Sequence, residues 1–160
     1  MSEPTPVAVF AKEVSTGALG AISRRDMQRM QEHADRYYTA IRNRKGDSDV
    51  VAIARNTGLS VEDVRKVKEH IFLNHHLGLD EDEPEKPKRF DADYDMAVSW
   101  QNLEIGKNIR EMDMVLLKHE LTELELMNKG VSYYDAHSEA EKRYNYIKYV
   151  RELDTREGVR

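Results

Sequence analysis

The 160-residue sequence contains no cysteine, which excludes disulfide bonds and thiolate chemistry. A metal site in this chain would therefore have to use histidine and carboxylate ligands. No apolar run approaches the roughly 20 residues that a membrane span requires, and the first residues lack the basic-then-apolar order of a classical signal peptide. Sustained alternation of β-branched residues is also missing, which argues against an extended sheet.

Positive charge is in slight deficit. The chain has 25 Lys and Arg against 30 Asp and Glu, a net charge of −5, which argues against a general nucleic-acid binder. The charge is unevenly distributed, because residues 24–45 are basic and residues 80–95 are acidic. A basic helix can bind phosphate, although such a run of charged residues more often forms a solvent-exposed helix face.

Proline and glycine are sparse, at 4 and 8 residues, and they divide the chain. Pro4 and Pro6 lie in residues 1–20, which show no helical period and are predicted to form a loosely ordered N-terminal arm. Residues 21–160 show apolar residues at helical spacing between caps, which predicts a single all-α domain. We expect a compact bundle of five to six helices that ends in an antiparallel helical hairpin.

The stretch 111–146 combines an apolar helix face with ionisable groups. If Met114 is placed at 0° and each residue advances about 100°, the leucines and methionines of the first helix fill one arc. Glu120 falls inside that arc at roughly 240°, and His119 and Glu123 lie on its rim. A helix that serves only packing would not place a carboxylate on this face.

A tight turn then returns the chain to this face. Gly130 suits a helix C-cap, and Ser132 suits the N-cap of a second helix. At 1.5 Å per residue, His137 on the second helix comes level with Glu123 on the first. The spacing therefore predicts one cluster between the two helices, formed by His119, Glu120, Glu123 and His137.

The cluster is a candidate hydrolytic site. His119 and His137 are candidates for general base and general acid, while Glu120 and Glu123 orient them or hold a divalent metal such as zinc or magnesium. The candidate metal ligands are His119, Glu123 and His137. Arg89, a guanidinium beside an aromatic residue, is a candidate for neutralising phosphate charge. The alternative is a structural role, in which buried histidine and glutamate only satisfy each other.

The order His119-Glu120-Leu-Thr-Glu123 also resembles the HExxH helix of zinc proteases with its second histidine replaced by glutamate. In that family the two histidines bind zinc and the glutamate is the general base. The resemblance implies Glu123 as an oxygen ligand and His137 as a third ligand. A zinc-peptidase-like hydrolase is therefore an alternative function.

A second alternative is a non-catalytic binding module. Residues 49–73 resemble the helix-turn-helix consensus, with Gly58 at the turn. A DNA-reading second helix should begin with basic or amide side chains, whereas this one begins with Val61, Glu62 and Asp63. The pattern therefore favours a packing unit over a DNA reader.

Several segments occur together in a recognisable order. They are RFDADYDMAVSW at 89–100, LLKHELTELELMNKGVSYYDAH at 116–137, YNY at 144–146 and IARNTGLSVEDVRKVKEHIF at 53–72. Across roughly residues 33–149 the chain resembles a domain at the C-terminal ends of bacterial polymorphic toxins of the Rhs and LXG types. The same domain ends some phage minor head proteins.

This resemblance implies a delivered effector that acts in the cytoplasm of a target cell and is neutralised by a cognate immunity protein. No particular reaction comes with it. Because toxin modules commonly attack nucleic acid, the leading hypothesis is an all-α hydrolase of the nuclease type, with nucleic acid as its substrate.

Burial can also be predicted from helical spacing. Trp100 and Tyr144 lie on apolar stripes and are expected to pack against the helix at 111–128. His70 is expected to be buried, and the adjacent His75 and His76 are expected at an exposed helix end, because they cannot share one helix face.

Overall fold

The computed structural model describes residues 22–159, so the arm predicted at 1–20 lies outside the described residues. The all-α prediction is confirmed: the described part of the chain is a compact bundle of seven α-helices without a strand. The helices are α1 (Met27–Asn43), α2 (Ser48–Thr57), α3 (Val61–Lys68), α4 (Tyr94–Ile105), α5 (Glu111–Asn128), α6 (Tyr133–Arg143) and α7 (Tyr146–Arg156). None of them is long and apolar enough to cross a membrane.

Polar side chains start most of these helices. In five of them, the residue before the helix accepts a hydrogen bond from a backbone N–H of the first turn, which satisfies a donor that the helix itself cannot pair. The capping residues are Asp26, Ser60, Asp93, Ser132 and Asn145. Short polar signals in the sequence thus fix where α1, α3, α4, α6 and α7 begin.

Trp100 on α4 lies at the centre of the main core. It is fully buried, as predicted, and its ring meets that of Phe72 edge-on at 5.3 Å between centroids. Tyr37 and Tyr38 of α1 and Leu117 of α5 belong to the same core. The core therefore anchors the middle of α5 from one side and leaves its other side for the polar cluster.

A break after α6 accounts for the larger number of helices. Tyr144 leaves the helical conformation (φ −137°, ψ 88°), and Asn145 caps α7. Tyr144 is half-buried and lies at the end of α6 instead of on a helical stripe, and its carbonyl oxygen contacts His119 Nδ1 of α5 at 3.0 Å. Tyr146 packs inward instead, with its hydroxyl 2.9 Å from Ser99 Oγ.

The α5–α6 connection forms as the sequence predicted. Gly130 has a φ of +94°, a conformation that other residues rarely adopt, and the N–H of Val131 donates to the carbonyl of Leu126 (3.1 Å). This turn brings α6 alongside α5. The antiparallel orientation of the pair stays a prediction.

A π-helical turn, Glu69–Leu73, follows α3 directly. The N–H of Asn74 donates to the carbonyl of Glu69 (2.7 Å), a spacing of five residues where an α-helix would use four. Beyond it the chain runs without helix to α4, and His76 and Lys88 pair through both backbone groups. The turn and the paired loop lie on the side of α5 that carries the polar cluster.

Candidate active site

Three elements supply the candidate site. α5 contributes His119, Glu120 and Glu123, which are 2%, 5% and 1% exposed. The π-helical turn contributes His70, which is 3% exposed. α6 contributes His137, whose side chain is 45% exposed and gives the cluster access to solvent. The structure therefore brings the four predicted cluster residues together and adds a fifth.

Glu123 is the centre of this cluster. Its Oε1 lies 2.8 Å from His70 Nε2, and its Oε2 lies 2.9 Å from His137 Nδ1 and 3.4 Å from His119 Nε2. Burial acts to raise the pKa of Glu123, but hydrogen bonds from the surrounding histidines outweigh it and hold that pKa well below its ordinary value. The hydrogen bond to Glu123 in turn raises the pKa of His137.

His119 is oriented by contacts to its other ring nitrogen. Nδ1 lies 3.0 Å from the carbonyl oxygen of Tyr144 and 3.2 Å from Glu141 Oε2. These acceptors favour the tautomer with the proton on Nδ1, since a carbonyl can only accept. The lone pair of Nε2 then faces His137 Nδ1, at 3.3 Å, and Glu123.

Glu120 is buried without comparable partners. It accepts no hydrogen bond from residues 22–159, and its nearest ring nitrogen, His119 Nε2, is 3.5 Å away. Burial raises the pKa of Glu120 well above its ordinary value, and the charge of Glu123 adds to the rise. The carboxylate predicted to lie on the inward face of α5 is thus the poorly satisfied member of the cluster.

A cavity of about 310 Å³ opens onto the cluster. Glu120, Glu123 and His137 line it together with the charged residues Lys88, Arg89, Asp91 and Asp93. The Arg89 side chain is exposed, and its Nε donates to the carbonyl of Leu73 (3.1 Å). Arg89 therefore shares the cavity with the predicted site residues without being part of the His/Glu cluster.

Aromatic rings back this cavity. Phe90 packs against His70 at 5.2 Å and against Tyr133 at 5.4 Å between ring centroids, and Tyr133 stacks on His137 at 5.6 Å. His76 completes the group, with its ring 4.7 Å from that of His70 and 4.5 Å from that of Phe90. These contacts restrict the rotation of the two imidazoles that flank Glu123.

The donor set can hold a metal ion. Nε2 of His119, Nδ1 of His137 and Oε2 of Glu123 are separated by 3.3, 3.4 and 2.9 Å. Ligands about 2.0–2.2 Å from a tetrahedral ion lie about 3.3–3.6 Å apart, so these three atoms need only small shifts to surround one. Two triads have ligand atoms within 4.8 Å of one another: His119, His137 and Glu141, and His70, Glu120 and Glu123.

Sequence reasoning missed two members of this site. His70 was expected to be buried but was not assigned to the cluster, because a π-helical turn leaves no clear signal in EHIFL. Glu141 lies four residues after His137, on the same helix face, which was an available signal. His76, expected at an exposed end, is 8% exposed, and its Nε2 lies 2.9 Å from the carbonyl oxygen of His70.

Comparisons of the chain with protein-family models, curated proteins and solved structures give no match. The function is therefore argued from the geometry of the site.

Proposed function

We propose that this chain is a metal-dependent hydrolase whose ion is bound by His119, His137 and Glu123. The observation that carries the proposal is the convergence of these three ligand atoms beside a solvent-accessible cavity. Three protein ligands with an open position are typical of catalytic zinc sites. The contact from Tyr144 and Glu141 to the far nitrogen of His119 is also typical, because metal-ligating histidines usually donate their other N–H to a carbonyl or carboxylate.

A divalent ion at this position would lower the pKa of a bound water and polarise the bond to be cut. The protein supports that chemistry by holding its ligands rigidly. Glu123 offers Oε2 to the ion while His70 retains Oε1, and His119 is fixed by Tyr144. Arg89, which lines the same cavity, can offset negative charge that develops on the substrate.

Nucleic acid is the first candidate substrate. Lys88 and Arg89 line the cavity and offer cations to a phosphate group, and Asp91 and Asp93 line it as well. The resemblance to toxin domains supports a delivered effector that acts in a target-cell cytoplasm and is restrained by a cognate immunity protein.

Peptide hydrolysis is the second candidate. The observation that favours it is Glu120, which directly follows the ligand His119 in sequence, as the general base does in an HExxH helix, and which lies 3.5 Å from His119 Nε2 in this structure. A purely binding role has weaker support. In the helix-turn-helix-like unit Arg65 and Lys68 are paired with Asp47 and Asp49, and so do not offer free positive charge to a phosphate backbone.

The test uses the full chain, purified without metal and assayed on labelled DNA, RNA and an unfolded protein substrate. Zn²⁺, Mn²⁺ or Mg²⁺ is added back in separate reactions. We expect hydrolysis of nucleic acid that depends on the ion and is abolished by chelator and by Glu123→Gln.

Glu125→Gln is the matched control, because Glu125 lies two residues along α5 and is exposed. It should retain full activity and, on expression in a bacterial cytoplasm, full toxicity. Hydrolysis of the protein substrate alone would select the second candidate. A chain that cuts none of the substrates with any of the three ions overturns the proposal.

A further inference from the structure

We propose that the cluster holds two divalent ions, the second bound by His70, Glu120 and Glu123, with Glu123 bridging the pair. This inference rests on the first ion of the proposed function and assigns Glu120 the role of a ligand. The ligand atoms of His70, Glu120 and Glu123 lie within 4.8 Å of one another, and all three residues are buried.

The two oxygens of Glu123 serve different histidines. Oε1 faces His70 Nε2 at 2.8 Å, and Oε2 faces His137 Nδ1 at 2.9 Å. A carboxylate can bridge two ions when a different histidine nitrogen lies beside each of its two oxygens, so that each oxygen and its neighbouring nitrogen bind one ion. Bridged ions in two-metal hydrolases lie about 3.5–4 Å apart, a span that one carboxylate covers.

Glu120 supplies an independent observation. Its carboxylate is 5% exposed, lines the cavity and accepts no hydrogen bond within the described part of the chain. Burying a carboxylate without a partner is costly, and such groups are normally paired or bound to a metal. A cation between Glu120 and Glu123 would satisfy both carboxylates at once.

The π-helical turn places the third ligand. His70 lies inside the five-residue turn Glu69–Leu73, and single π-turns are frequent at functional sites. The turn ends at Leu73, and the carbonyl of His70 accepts a hydrogen bond from the imidazole of His76 (2.9 Å). The ring of His70 is thus held towards Glu123 by protein contacts alone, which makes the second position preorganised.

Two ions also narrow the substrate class. Glu120 and Glu123 together carry at most two negative charges, so a pair of divalent ions leaves an excess of positive charge facing the cavity. Lys88 and Arg89 also line the cavity and are offset there by Asp91 and Asp93, so the excess comes from the ions. A phosphate ester, clamped between two ions during in-line displacement, fits this charge better than a neutral amide.

The experiment counts ions on the full chain. Metal-free protein is titrated with Zn²⁺ by calorimetry, and the bound zinc is measured by elemental analysis after gel filtration. Wild type should bind two ions per chain. His70→Gln and Glu120→Gln should each bind one. His75→Gln, which changes an exposed histidine five residues from His70, should bind two.

X-ray absorption of the Co²⁺-loaded protein adds a measurement on wild type itself, which does not require either variant to fold. It should show a metal–metal distance of about 3.5–4 Å in wild type and none in His70→Gln. Circular dichroism of each variant verifies the helical fold, and if His70→Gln is unfolded, Glu120→Gln and the wild-type distance still decide the question.

The outcomes separate the two proposals. A single ion in wild type, unchanged by His70→Gln, overturns the second ion while the hydrolase proposal stands. Two ions retained by His70→Gln with about 10–100-fold weaker affinity show that His70 only orients Glu123, which also overturns it. If wild type binds no ion, the metal site in both proposals is overturned. If wild type binds two ions but hydrolyses none of the substrates, the proposed function alone is overturned.

Discussion

Two carboxylates are buried to a similar degree in this protein, and their surroundings differ. Asp49 on α2 is 0% exposed and Glu120 on α5 is 5% exposed. Asp49 Oδ1 accepts hydrogen bonds from Lys68 Nζ and the N–H of Val50, both at 2.9 Å, and Asp49 Oδ2 accepts one from Trp100 Nε1 at 3.2 Å. Glu120 accepts none from the residues that the structure describes.

The difference separates a structural charge from a candidate functional one. In the folded protein these hydrogen bonds and the positive charge of Lys68 replace the hydration that Asp49 loses on burial. Its burial therefore needs no further partner. Glu120 has only the 3.5 Å contact to His119 Nε2, and it faces a cavity. Burial alone therefore does not mark a site; a buried charge that lacks hydrogen-bond donors and also faces a cavity is a stronger candidate.

The largest expected effect on stability comes from removing Asp49, the buried carboxylate whose hydrogen bonds and charge are satisfied by the protein. Asp49→Ala should lower the free energy of unfolding by about 3–5 kcal/mol, because Lys68 is left buried without its counter-charge. Urea denaturation of the metal-free protein measures the change.

The control for that prediction is Asp47→Ala, which breaks a pair that is about two-fifths exposed and should cost less than about 1 kcal/mol. Equal losses in the two variants would show that the Asp49 cluster has no special structural role. Zinc stoichiometry should be the same in both variants, because neither residue contacts the His/Glu cluster.

The next effect concerns Glu123, whose charge is satisfied by histidines. Glu123→Gln should destabilise the metal-free protein by about 1.5–3 kcal/mol near neutral pH, since it removes charged hydrogen bonds. The pKa of Glu123 is depressed in the folded state, so its contribution is present above the unfolded value of about 4.3 and is lost as the pH falls through the folded value. The stability gap between wild type and variant should therefore shrink below about pH 4. A gap that widens in acid contradicts this.

Helical arithmetic predicted much of this site. α5 is a regular helix, so a fixed angle per residue placed Glu120 on the inward face and His119 and Glu123 at its rim, and all three are buried. The turn at Gly130 and the cap at Ser132 could be predicted because few residue types adopt a positive φ or accept a hydrogen bond at a helix N-terminus. The spacing of the sequence alone therefore predicted that His137 lies near Glu123.

Two other features depend on tertiary contacts and could not be read in this way. His70 reaches Glu123 through a change from four-residue to five-residue hydrogen bonding, which the local sequence does not specify. His76 is buried because its backbone pairs with Lys88, twelve residues away in an irregular loop. The helix break at Tyr144 is different in kind: Asn145, a good N-cap residue, already indicated a new helix.

Glu120→Gln should change the stability in the direction opposite to that of Glu123→Gln. Glu120→Gln should stabilise the metal-free protein by about 1–3 kcal/mol near pH 8, because it removes a buried carboxylate that lacks donors. The pKa of Glu120 is raised in the folded state, so wild type loses stability as the pH rises towards the folded value, and the variant does not. The gain should therefore be larger at pH 8 than at pH 6 in urea titrations. The exposed Glu125→Gln should change stability little at either pH.

The smallest effect is expected at Lys66, which lies two residues from Lys68 on the same helix. Its Nζ is 3.5 Å from Glu62, but both side chains are largely exposed, whereas Lys68 is 5% exposed and bound to Asp49. Lys66→Gln should change the free energy of unfolding by less than about 0.5 kcal/mol, because water and salt screen an exposed pair. Lys68→Gln should cost several times more, since it takes the 2.9 Å counter-charge from Asp49, which is fully buried. Urea titrations at low and high salt compare the two. Similar losses for both lysines would mean that local helix propensity, and not burial with a satisfied partner, governs the stability of α3.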